Sequence, residues 1–218
     1  MKQQLVDAIS MLERAGIIDF NGHVSVRVPG TAHVLINSGA SVRSAMTVDD
    51  IITIDMDGQP VGGAAVPPME FHMHTEIYRV RPDVQAVVHA HPLWSTVLGM
   101  AGHRIRPVIM QAAVMGEVRH FEPIASVNSK ALGERLAAAL GDGKVVTLQS
   151  HGAVAVGANL LEAFVLAVYL EETAQRQYLA MQTGAVRELS PDEIAVIGKN
   201  LWKPNLLQKV WDFHRAKL

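Results

Sequence analysis

The sequence predicts an α/β fold, a mixed antiparallel sheet flanked by helices, and three observations predict it. Some segments repeat apolar residues at helical spacing, as Leu5, Ile9, Leu12 and Ala15 do. Others alternate or run apolar over strand length, as in Val24-Ser25-Val26-Arg27-Val28 and Ala86-Val87-Val88-His89. No repeat, low-complexity stretch or linker divides the 218 residues, so one domain spanning 1–218 is expected.

Residues 2–15 read as a helix closed by Gly16, and 24–28 as a half-buried strand turning at Pro29-Gly30 into a partner at 32–37. Thr47-Val48-Asp49-Asp50 is a cap or turn before a strand at 51–55, and Met56-Asp57-Gly58-Gln59 is a turn. Gly62-Gly63 and Pro67-Pro68 bound a loop that delivers Glu70. A helix at 71–81 stops at Pro82, a buried strand follows at 85–89, then a short helix at 92–99 and a strand at 105–110. Leu132, Leu136, Ala139 and Leu140 mark an amphipathic helix at 129–140. A second buried strand is expected at 144–148, a long helix at 159–183, and terminal helices at 191–199 and 206–215.

Composition narrows the function. A net charge of −2 with no basic cluster argues against sequence-independent nucleic-acid binding. No apolar run approaches the roughly 20 residues a membrane-spanning helix needs. The first residues run into a helical pattern with no signal-peptide core, and a cytoplasmic location is the simplest expectation. With no cysteine, any metal must be held by His, Asp or Glu.

His89-Ala90-His91 supplies a candidate site. Residues i and i+2 of a strand point to one face, so both imidazoles project together. His151 ends a second apolar run, and Glu70 lies upstream of all three. Three neutral imidazoles with an open position match a catalytic divalent site, with Glu70 either a fourth ligand or the acid/base beside it. The plain alternative is a buried strand whose rings bond to their neighbours. His72 and His74 lie on a helix start, where i and i+2 diverge by about 200°. Trp202, Trp211 and Phe213 read as packing residues.

Nearly the whole chain resembles the class II aldolase/adducin family. The likeness rests on Gly22-His23-Val24-Ser25-Val26-Arg27, Leu35-Ile36-Asn37-Ser38-Gly39, Thr47-Val48-Asp49-Asp50-Ile51, Glu70, the stretch from Arg79 to His91, and Gln149-Ser150-His151-Gly152. The resemblance implies a three-layer α/β/α fold around a mainly antiparallel sheet, and a homotetramer with sites near subunit interfaces. It implies that His89, His91 and His151 bind one divalent metal per subunit, Zn²⁺ or Mn²⁺ with Co²⁺ also admissible, and that Glu70 shuttles protons in carbon–carbon lyase chemistry.

The chain departs from the family's sugar-phosphate aldolases where they hold phosphate. Their Ser-Ser before the Glu is Pro68-Met69 here, and the Asn of their Gly-Asn motif is His23. Only Ser38-Gly39 remains of that cradle, and a tyrosine tied to aldol chemistry aligns near Met110. The pattern is closer to branches that decarboxylate hydroxylated benzene or pyridine carboxylates. In that reading His23, Arg43, His72 and Lys203 are candidates for a second substrate carboxylate. Aldol cleavage is the alternative, and a non-catalytic scaffold is disfavoured because the metal set is intact.

Overall fold

Strands β1 (His23–Arg27), β2 (Val34–Asn37), β3 (Ile51–Ile54), β4 (Ala86–Ala90), β5 (Arg119–Phe121), β6 (Val145–Leu148) and β7 (Gly152–Gly157) form one sheet in the computed structural model, which describes residues 1–218. Their spatial order is β3-β2-β1-β4-β7-β6-β5. Every neighbouring pair is antiparallel except β5 with β6. The helices are α1 (Lys2–Arg14), α2 (His72–Val80), α3 (Leu93–Met100), α4 (Lys130–Leu140), α5 (Leu160–Met181), α6 (Pro191–Leu201) and α7 (Pro204–Arg215). None is long and apolar enough to cross a membrane.

Strand alternation builds the layers. Ala86, Val88 and Ala90 of β4 face a core shared with Leu5 and Ile9 of α1, Phe164 of α5 and Trp211 of α7. Val87 of β4, Ile36 of β2 and Val154 of β7 face a second core with Met73 and Ile77 of α2 and Leu136 and Leu140 of α4. The sheet therefore lies between two helical layers, as expected. Burying each such aliphatic side chain stabilises the fold by roughly 1.5–3 kcal/mol. Ser129, Asn159 and Ser190 cap α4, α5 and α6 by accepting from backbone amides. Trp211 packs edge-on against Phe164 at 5.0 Å and Trp202 lies under the Lys144 ammonium, whereas Phe213 is exposed.

The strand expected at 105–110 is absent. Pro107 lacks an N–H, and the neighbouring backbone groups are engaged elsewhere. Gln177 of α5 accepts from the Arg106 amide and donates to the Arg104 carbonyl, while the Pro107 carbonyl accepts from Leu189. The segment then enters a 3-10 turn at Met110–Val114. Two strands were not expected, the three-residue β5 and the Ala/Val-rich β7. The strand expected from Val24 begins one residue earlier, which places His23 in register opposite His89.

Candidate metal centre

Three imidazoles and a carboxylate converge at one end of β4. Glu70, His89, His91 and His151 each offer a ligand atom, and these atoms lie within 4.8 Å of one another. His89, the penultimate residue of β4, faces the α2 side of the sheet, and His91 lies just past the strand end at Ala90. His151 sits on the β6–β7 turn, which is tight: Ser150 adopts φ 53°, left-handed for a non-glycine residue. Gly152 is required there, because a Cβ would stand 2.2 Å from the Ala90 carbonyl oxygen and 2.9 Å from His91 Cδ2. Glu70 arrives on the loop before α2, its Oε1 accepting from Ser126 Oγ at 2.9 Å and the Val127 amide at 2.8 Å.

The ring tautomers follow from the partners of Nδ1. His89 Nδ1 is 3.1 Å from the Ala153 carbonyl oxygen, and His91 Nδ1 is 3.0 Å from Asp19 Oδ2. Both partners only accept, so both rings carry hydrogen on Nδ1 and present bare lone pairs at Nε2. Those Nε2 atoms face each other at 3.1 Å. Two lone pairs at that distance repel unless a cation lies between them. Two nitrogens bound at about 2.0–2.1 Å to one tetrahedral zinc stand roughly 3.3 Å apart, so the spacing fits a shared metal. His151 Nε2 and His89 Nε2 each lie 3.6 Å from a Glu70 oxygen, which completes the donor set. The residues present thus fit a divalent ion.

Electrostatics agree with that fit. Burial, with repulsion from neighbouring rings, pushes His89 well below the usual histidine range, which keeps it a neutral ligand. Burial alone would raise Glu70, but the nearby His151 and His23 rings and the attraction of the ring cluster outweigh it and hold the carboxylate ionised. For Asp19, burial is likewise outweighed, by the Asn21 amide and the His91 ring, and its pKa is lowered. Asp19 had no signal in the sequence. It follows Ile18 in a loop and is identified only by its reach to His91.

The other expected site residues divide. His23 is buried beside His89, ring centroids 4.7 Å apart, and its Nε2 lies 3.8 Å from Glu70 Oε2. His74, not expected in the site, is fully buried and meets His23 Nδ1 at 2.6 Å. His72 points elsewhere: its ring packs on Phe71 at 4.0 Å, outside the cluster. Arg43, a candidate from the sequence for a substrate carboxylate, is not free to meet one. Its guanidinium is buried and donates to the Gly22 carbonyl at 2.5 Å, the Ser41 carbonyl, and Ser41 Oγ at 2.6 Å, tying two loops together. The Ser38 amide donates to Asp50 O and the Gly39 amide to Val66 O at 2.9 Å. Gly39 packs so closely on Pro67 that a Cβ would stand 3.0 Å from its carbonyl oxygen. Gly39 thus braces the loop that carries Glu70, and Ser38 ties β2 to the turn before β3. Lys203 lies exposed at the start of α7.

Comparison with known proteins places this geometry. The family model "Class II Aldolase and Adducin N-terminal domain" matches residues 3–178. A 3,4-dihydroxyphthalate decarboxylase from Terrabacter sp. is 28% identical over 210 residues, covering 90% of this chain and 88% of that protein. An L-fuculose phosphate aldolase from Escherichia coli is 32% identical over 200 residues, covering 90% of this chain and 92% of its own. Among solved structures, L-fuculose 1-phosphate aldolase from Glaciozyma antarctica aligns with a TM-score of 0.87 at 25% identity, over 99% of this chain and 87% of that one.

Proposed function

The chain belongs to the class II aldolase and adducin family, and we propose that it is a divalent-metal-dependent carbon–carbon lyase that decarboxylates a hydroxylated aromatic acid. His89, His91 and His151 hold the metal in this reading, with Zn²⁺ or Mn²⁺ the leading candidates and Co²⁺ a third. When bound, the ion supplies Lewis-acid polarisation of substrate oxygens.

The observation that carries the choice of substrate is the state of the phosphate cradle beside a complete donor set. Pro68 offers no N–H and Met69 no hydroxyl, and the Gly39 amide is already engaged by Val66. Each lost donor removes roughly 1.5–3 kcal/mol of binding to a charged oxygen. A carboxylated ring needs no such cradle.

Glu70 is the proton carrier in this account. Held as a carboxylate, it accepts the proton of the substrate's ring hydroxyl. The bond between ring carbon and carboxylate then breaks, its electron pair stays with the ring, and carbon dioxide leaves. Glu70 returns the proton to that ring carbon. Ser126 and Val127 fix the carboxylate in place throughout.

Aldol cleavage of a hydroxy-ketone is the second reading, favoured by the aldolase relative at 32% identity. One assay separates them. Purified protein with added Mn²⁺ or Zn²⁺ is offered hydroxyphthalates and hydroxypyridine carboxylates, and carbon dioxide is measured. Release from one of them supports the decarboxylase. No release, with aldehyde formed from a hydroxy-ketone, supports the aldolase. A cytoplasmic homotetramer with sites near subunit interfaces belongs to the same proposal. Phe20 and Met69, next to Asp19 and Glu70, are 80% and 75% exposed, large apolar groups suited to a partner subunit.

A further inference from the structure

A buried chain of hydrogen bonds leads from Tyr78 of α2 toward the metal centre and ends at His23. Tyr78 of α2 meets Ser25 Oγ at 2.8 Å, Ser25 Oγ meets His74 Nδ1 at 2.6 Å, and His74 Nε2 meets His23 Nδ1 at 2.6 Å. All four residues are buried. The far nitrogen, His23 Nε2, is buried with no hydrogen-bond partner in the protein and faces Glu70 Oε2 at 3.8 Å.

Valence sets the direction of this chain. The Tyr78 hydroxyl has Ser25 as its hydrogen-bonded side chain, and the Val87 amide facing the same oxygen is itself a donor. A buried O–H left without an acceptor is costly, so Tyr78 donates to Ser25. Ser25, having accepted, donates to His74 Nδ1. His74 then carries its hydrogen on Nε2 and donates to His23 Nδ1. The remaining hydrogen of neutral His23 is on Nε2. The reverse order leaves the Tyr78 O–H unpaired at one end and sets a bare His23 lone pair against the Glu70 carboxylate at the other.

We propose that Tyr78, Ser25 and His74 are positioning residues that lock His23 in its Nε2–H tautomer, so that it serves as a neutral hydrogen-bond donor to an anionic oxygen of the substrate. That the oxygen is a carboxylate rests on the decarboxylase reading, whereas the tautomer does not. The same chain argues that His23 does not supply the proton to carbon. Replacing a lost Nε2 proton along the relay would end in a tyrosinate at Tyr78. Burial, only partly opposed by Ser25 and Arg27, pushes that hydroxyl well above the usual tyrosine range. The proton therefore travels on Glu70, and His23 orients the substrate.

The test uses the full-length Zn²⁺-loaded protein labelled with ¹⁵N-histidine. Two-bond ¹H–¹⁵N correlation spectra near neutral pH report which ring nitrogens carry hydrogen. His23 is assigned by the resonances lost in His23→Gln. The expected result is a neutral His23 and a neutral His74, each with hydrogen on Nε2. A His23 with hydrogen on Nδ1, or on both nitrogens, overturns the proposal. In Tyr78→Phe the His23 nitrogens should move to values averaged between tautomers with zinc content unchanged. Unmoved signals would remove Tyr78 from the lock. If Tyr78→Phe does not fold, the wild-type spectrum remains decisive for the tautomer. Phthalate, added as an inert aromatic dicarboxylate, should shift the His23 Nε2–H resonance, and no shift rejects the donor role. A protein with the stated tautomer that releases no carbon dioxide keeps the lock and loses only the decarboxylase reading.

Discussion

Asp19 Oδ2 accepts from His91 Nδ1 at 3.0 Å, across 72 positions of sequence. The carboxylate fixes the ring's tautomer and aims Nε2 at its neighbours. Partners of this kind govern metal affinity nearly as strongly as the ligands do. Asp19→Ala should therefore weaken Zn²⁺ binding roughly 10–100-fold, read by chelator competition, while the fold is retained. Unchanged affinity would mean that His91 is oriented by packing alone.

Gly152 tests the crowding beneath the site. Its missing side chain lets the β6–β7 hairpin close on Ala90 and His91, and a methyl group has no room in that gap. Gly152→Ala should destabilise the protein by about 1–3 kcal/mol in urea unfolding. It should also lower metal affinity, because His151 and His91 are displaced together. A control at Gly63, where a Cβ meets nothing within 4 Å, should affect neither quantity.

Glu70→Gln separates the two roles open to this residue. The amide oxygen keeps an acceptor for Ser126 and Val127, so the loop should hold its place. Turnover should fall by about 10²–10⁴-fold with metal content unchanged if Glu70 carries the proton. Joint loss of metal and turnover would identify it as a ligand instead.

Acid should destabilise the metal-free protein. Burial lowers His23, His74 and His89 below their unfolded value of 6.5. Above 6.5 these rings are neutral in both states. Below it the unfolded chain binds more protons, so stability falls as pH drops from 6.5 toward the folded values. Each ring contributes at most about 1.4 kcal/mol per pH unit in that window. Urea midpoints in chelator at pH 7 and at pH 5.5 check this, and equal midpoints would contradict it. Saturating Zn²⁺ should steepen the loss, since protons and metal compete for the same nitrogens.

Assembly is a separate expectation. Light scattering should give four times the 23.6 kDa chain mass, and Met69→Asp should reduce it. A monomer at all concentrations would confine the site to one chain.

The meeting of His89 and His91 is legible in the sequence because the i, i+2 spacing of a strand sets both side chains on a shared face without tertiary knowledge. Helices with clear periodicity, such as α1 and α4, are equally plain. The groups around the ligands are not. Asp19 and Ser126 lie in loops, and only folding brings them to His91 and Glu70. His74 was discounted because it diverges from His72 on the helix, yet that divergence is what turns it inward to His23. Arg43 reads as a candidate substrate contact, since nothing local signals that Gly22 and Ser41 will cage it. The strand expected at 105–110 failed for a similar reason. Its apolar residues fit a strand, but Gln177 and Leu189, far along the chain, engage its backbone.

Anomalous diffraction at the zinc edge, from crystals grown with Zn²⁺, tests the central claim most directly. The account predicts one peak per chain, about 2.0–2.1 Å from Nε2 of each of His89, His91 and His151. A peak bound elsewhere, or no peak among these rings at saturating zinc, would contradict it.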